Sequence, residues 1–152
     1  MNRLRSKRRN RIPARYEPLE DRCLLAEAGV VISEFMAVNS TTLADEDGEY
    51  SDWIELYNSR PGVPADLSGW YLTDNPDDLR KWPLPTTSLE FNDYLLVFAS
   101  GKNRQGDGPL GELHTSFKLR GAGEYLALVN PNGSVVHEVG PEFPPQVADV
   151  SY

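Results

Sequence analysis

Two acidic clusters hold the residues best suited to chemistry. Asp45-Glu46-Asp47-Gly48-Glu49 with Asp52 forms one, and Asp74, Asp77 and Asp78 form the other. Hard carboxylate oxygens on a glycine-containing loop suit Ca²⁺, which gathers about six to eight of them. Asp45, Asp47 and Asp52 are therefore the candidate calcium ligands, and calcium is the only cofactor the residues suggest. The EF-hand register does not hold, because with Gly48 at its sixth position the twelfth is Ile54 rather than Glu. A solvated acidic loop is the plainer reading. His114 and His137 stand singly among strand-like residues and do not compose a metal site. The lone Cys23 excludes an internal disulfide and a cysteine-based zinc or iron–sulfur centre. There is no G-x-S-x-G elbow, no H-E-x-x-H and no P-loop. No catalytic residue is assigned, and the chain reads as something other than an enzyme. Trp53, Trp70 and Trp82 could form a stacking platform for sugars or bases, but each lies inside a strand-like run, where core packing is the better expectation. Glu55, between Ile54 and Leu56, is expected to face solvent or a sheet rim.

The elements that would position these residues have a period of two. In Asp52-Trp53-Ile54-Glu55-Leu56-Tyr57-Asn58, Ile54 and Leu56 share one face, while Trp53, Glu55 and Tyr57 share the other. Val30–Val38 is apolar on both faces, as in a covered strand. Short runs follow at Leu67–Thr73, Tyr94–Ala99, Leu113–Leu119, Tyr125–Asn130 and Ser134–Val139, bounded by Gly, Pro, Asn or Asp. Pro131 and Gly133 predict a hairpin turn between the last two. Pro83 and Pro85 put Trp82 on an edge or irregular segment. Seven or eight short strands without an amphipathic helix predict an all-β antiparallel sandwich over residues 29–139. Residues 140–152 are Pro-rich and read as an exit linker, and their apolar close at Tyr152 suggests a natural continuation.

The 152 residues carry a net charge of −8, and that value divides sharply. Residues 1–15 hold seven basic side chains and no acidic one, whereas Glu27 to Tyr152 hold seven basic against twenty acidic, a net of −13. An acidic body repels phosphate, so direct nucleic-acid binding by it is not expected. No apolar run approaches the roughly 20 residues that span a bilayer. Residues 1–28 form a basic leader, expected to be disordered. It fails as an ordinary secretory signal, because Glu17, Glu20, Asp21 and Arg22 interrupt the required apolar stretch.

Two resemblances follow from particular strings. Leu19, Glu20, Arg22, Leu24 and Leu25, behind the basic run, resemble the LEPR-XLL motif near the N-termini of large bacterial surface proteins, with Asp21 where that motif has Pro. The resemblance implies a sorting motif and an exported, cell-surface or extracellular location. The body resembles a lamin tail domain through Ile32-Ser33-Glu34-Phe35-Met36-Ala37, Asp52 to Asn58, Asp66 to Asp74 and Lys81-Trp82-Pro83-Leu84-Pro85. Tyr94 to Ser100, His114 to Leu119 and Gly123 to Leu128 continue the resemblance in unbroken order. It implies an immunoglobulin-like antiparallel β-sandwich. The bacterial extracellular branch is favoured, since no coiled-coil heptads precede the domain. The expected role is a non-catalytic accessory domain for adhesion, spacing or protein binding. Its partner would be a protein, or a cell-surface or extracellular-matrix component. Two alternatives remain at this stage. One is the N-terminal fragment of a larger enzyme with a CotH-kinase-like or nuclease-like module downstream; the other is a calcium-dependent carbohydrate-binding module.

Overall fold

Alternating apolar residues and turn formers give eleven strands and no helix in the computed structural model, which describes residues 29–108 and 111–152. The leader and its Leu19, Glu20, Arg22, Leu24 and Leu25 lie outside the described residues. The strands are β1 (Val30–Met36), β2 (Asp52–Asn58), β3 (Ala65–Asp66), β4 (Tyr71–Thr73), β5 (Trp82–Pro83) and β6 (Ser88–Leu89). They continue as β7 (Tyr94–Ala99), β8 (Arg104–Gln105), β9 (Leu113–His114), β10 (Leu126–Val129) and β11 (Val135–Val139). One sheet has the order β1-β2-β7-β9-β8, a second β11-β10-β4-β5, and β3 pairs with β6 alone.

Register decides what each face carries. Phe35, Ile54, Val97 and Leu113 form one cross-strand row, and all four point into the core shared with the second sheet. The next row, Met36, Trp53 and Phe98, packs on the opposite face as a smaller cluster with Leu96. The second sheet contributes Leu72, Trp82, Leu126 and Leu128 to the shared core. Each fully buried large apolar side chain adds about 1.5–3 kcal/mol by leaving water. Trp82 is fully buried, Trp53 nearly so, and Trp70 packs against the core edge. The predicted hairpin forms between β10 and β11, where Gly133 takes φ 83° and donates its N–H to the Asn130 carbonyl at 2.9 Å.

One strand pair departs from the antiparallel expectation. β9 runs parallel to β7, because the chain leaves β7, passes through β8 at the sheet edge and turns back between them. The expected strand over Leu113–Leu119 is correspondingly short, although Phe117 and Leu119 still reach the core.

Residues 140–152 differ more from expectation. They lie along the sandwich and complete it rather than leading away. Phe143 is 1% exposed and sits 4.7 Å from Phe35, centroid to centroid. The N–H groups of Phe143, Gln146, Asp149 and Tyr152 donate to the carbonyls of Glu124, Gly121, Val38 and Phe35 at 2.7–2.8 Å. Pro144 and Pro145 fall between the first two donors, so their missing N–H groups cost no bond. Asp149, at φ 60°, accepts the N–H groups of Ser40 and Thr41 at 2.6 and 2.9 Å. Those two backbone bonds, then the Thr41 hydroxyl, hold its carboxyl down at about 2.

Gly123 is where the body meets this segment. Its φ is 108°, and a Cβ there would stand 2.3 Å from the Phe143 carbonyl oxygen. Gly123→Ala should lower stability by more than about 1 kcal/mol, read as a reduced urea midpoint at unchanged slope. An unchanged midpoint would show that the segment does not press on Gly123.

Candidate functional site

The acidic loop is built around one carboxylate. Asp45 has a fully buried side chain, whose Oδ1 accepts the N–H groups of Asp47 and Glu49 at 3.0 and 3.1 Å. Its Oδ2 accepts the Ser51 hydroxyl at 2.8 Å and the Lys102 ammonium at 2.6 Å. Gly48 supplies the left-handed turn, at φ 77°, that brings the chain round. Burial works to raise the Asp45 pKa, but Lys102, Ser51 and the two backbone donors outweigh it and bring it to about 2.

Two cations from the β7–β8 region complete the cluster. Lys102 Nζ lies 2.6 Å from Asp47 and 3.1 Å from Glu49 as well as against Asp45. Burial opposes its charge, yet the three carboxylates push its pKa above the ordinary lysine range. Arg104 Nη1 lies 2.9 Å from Glu46 and 2.8 Å from Asp47. Behind them His114 is fully buried, stacks on Phe98 at 5.4 Å, and shares a 2.9 Å hydrogen bond between Nδ1 and the Ser100 hydroxyl. Its Nε2 faces Glu46 and Glu112 at 3.8 and 3.9 Å. Burial, then Lys102, lowers its pKa, so the ring is neutral near pH 7.

The calcium candidates are thus divided. Asp45 and Asp47 come together, but the Lys102 ammonium occupies the position between them. Asp52 stands apart at the start of β2, where its Oδ1 accepts the Asn39 N–H at 3.2 Å. Burial raises its pKa against that bond and the nearby Lys118. It lines a polar surface cavity of about 290 Å³ with Tyr50, Ser51, Ser100 and Lys118. No group of three or more His, Cys, Asp or Glu among the described residues is arranged to hold a metal ion. The second acidic cluster is a turn in which Asp74 pairs with Lys81 and Asn75 Oδ1 accepts the Asp77 N–H at 3.0 Å. Glu55 lies in the middle of β2, paired with Glu34 of β1 and Leu96 of β7, half-buried on the face opposite Ile54 and Leu56, and accepts the Ser33 hydroxyl at 2.8 Å.

A different surface carries a stacked pair of tyrosines. On the outer face of the five-stranded sheet, Tyr57 and Tyr94 are cross-strand neighbours whose rings stack at 4.7 Å and 27°. Tyr94 is 58% exposed and Phe91 44%. Tyr57 donates its hydroxyl to Asn92 Oδ1 at 3.0 Å, and the Asn92 N–H donates to the Asn58 carbonyl at 2.9 Å, so the pair is fixed by backbone as well as by stacking. Alternation in β2 puts Tyr57 on the face opposite Ile54 and Leu56, while no sequence motif singles out Tyr94 or Phe91.

The sequence has a counterpart among known families. Residues 25–142 match the family described as Lamin Tail Domain, more than three quarters of the chain. The chain belongs to that family. No curated protein matches it. In this lamin tail domain the motif strings fall on the structural core: Ile32 to Met36 on β1, Asp52 to Asn58 on β2, and Tyr94 to Ala99 on β7. The lamin tail domain is an immunoglobulin-like β-sandwich, and its described residues contain no helix long and apolar enough to cross a membrane.

Proposed function

We propose that this lamin tail domain is a non-catalytic interaction domain of an exported bacterial surface protein. It binds a protein, or another component of the cell surface or extracellular matrix, through the outer face of its five-stranded sheet. The observation that carries this reading is the fixed Tyr57–Tyr94 stack, with exposed Phe91 in the turn that leads into β7. Aromatic side chains held rigid at the surface give large contact area at small entropic cost, and tyrosine is enriched among binding hot spots. The body's net charge of −13 favours a neutral or basic partner over nucleic acid. Export rests on the basic leader and on Leu19, Glu20, Arg22, Leu24 and Leu25 behind it. Calcium has no part in the proposal, since the Lys102 ammonium stands between Asp45 and Asp47 and Asp52 is engaged by the Asn39 N–H.

The test is to titrate the domain over an immobilised cell-envelope fraction by surface plasmon resonance. Tyr94→Ala should bind at least about tenfold more weakly, with an unchanged melting temperature. Equal binding by the wild type and the variant would refute the assignment of this face.

A further inference from the structure

β1 and β11 are edge strands of the two sheets, and they meet at a seam. Unpaired edge N–H groups are templates for another strand unless something occupies them. At this seam the Ile32 N–H donates to His137 Nδ1 at 3.3 Å. Three residues further on, Phe35 exchanges two backbone bonds with Tyr152, at 2.8 and 3.1 Å. Between these closures lies an apolar groove of about 170 Å³, lined by Ile32, Phe35, Val139 and Tyr152 with His137 on its wall.

An imidazole nitrogen can accept only when it carries no proton, so the bond to Ile32 requires the neutral ring with its hydrogen on Nε2. The charged groups that act on the ring are Glu34, which lines the same groove from β1, and Glu138, the next residue on β11, which lies outside the groove. Glu138 Oε2 is itself engaged by the Tyr125 hydroxyl at 2.7 Å.

We propose that His137 is an acid-operated latch on the β1 edge. When Nδ1 takes a proton it becomes a donor, the Ile32 N–H loses its acceptor, and the seam between β1 and β11 opens at that point. Burial lowers the pKa of His137 against the opposing pull of Glu138. The folded ring therefore binds a proton less readily than the unfolded one. The latch is fully closed above the ordinary histidine value near 6.5 and is lost as pH falls from there through the folded-state value.

Hydrogen exchange followed by NMR on the whole chain decides it, from about pH 7.5 downward through the titration of the His137 ring. After correction for intrinsic exchange, protection of the Ile32 amide should fall at least about tenfold in step with the ring, while that of Val97 in the sheet interior does not. His137→Asn keeps an acceptor where Nδ1 stands and cannot be charged, so its Ile32 protection should be flat over the same range. Ile32 protection that stays constant while the ring titrates would overturn the proposal. So would an equal fall at Val97, or a ring that stays neutral until the chain unfolds.

Discussion

Phe143→Ala should lower the unfolding free energy by about 3–5 kcal/mol, the usual cost of truncating a buried phenylalanine. Its ring is 1% exposed, packs 4.7 Å from Phe35, and belongs to the same cluster as Ile54, Leu72 and Trp82. A truncated side chain there leaves a void between the two sheets at the end where β1 meets the C-terminal segment. Chemical denaturation of the variant should show a midpoint far below the wild type, with Tyr152 detached from Phe35. A linker residue would cost nothing measurable, so a shift of only a few tenths of a kcal/mol would return residues 140–152 to the role their prolines first suggest.

Lys102→Met should cost about 2–3 kcal/mol near pH 7, because it leaves a buried carboxylate without its cation. Asp45 would keep the Ser51 hydroxyl and two backbone donors but lose its 2.6 Å ion pair. The pH dependence identifies the cause. With Lys102 present, the Asp45 pKa is brought from the ordinary 3.8 to about 2. Its contribution is therefore whole above the ordinary value and fades as pH falls toward 2. The gap between wild type and variant should close over that window, since a protonated Asp45 no longer needs a cation. Urea unfolding of both proteins at neutral and at acid pH measures it. A gap that is independent of pH would mean that Lys102 acts through packing of its stem.

The sheets were largely legible because their residues obey the period of two. Ile54 and Leu56 faced one way, Trp53 and Tyr57 the other, and the hairpin followed from Pro131 and Gly133. The C-terminal segment was not legible because its anchoring donors lie three residues apart, matching no strand period, and Phe143 stands as an isolated aromatic without a periodic neighbour. The acidic loop was found as a cluster, but its chemistry was not. Its cations come from 57 and 58 residues away, across β7, and no local pattern announces that Lys102 and Arg104 return to it. The binding face was half visible: alternation gave the side of the sheet, while the exposure of Tyr94 and its stacking on Tyr57 needed the strand register.

The central claim is that this lamin tail domain binds through the outer face of its five-stranded sheet. The most direct measurement replaces Phe91 with the photo-crosslinking p-benzoylphenylalanine, places the same residue at the exposed Val135 of β11 in a second protein, and irradiates each on intact bacterial cells. The account predicts a discrete covalent adduct from position 91 and none from position 135. No adduct at 91, or equal adducts at both positions, would contradict it.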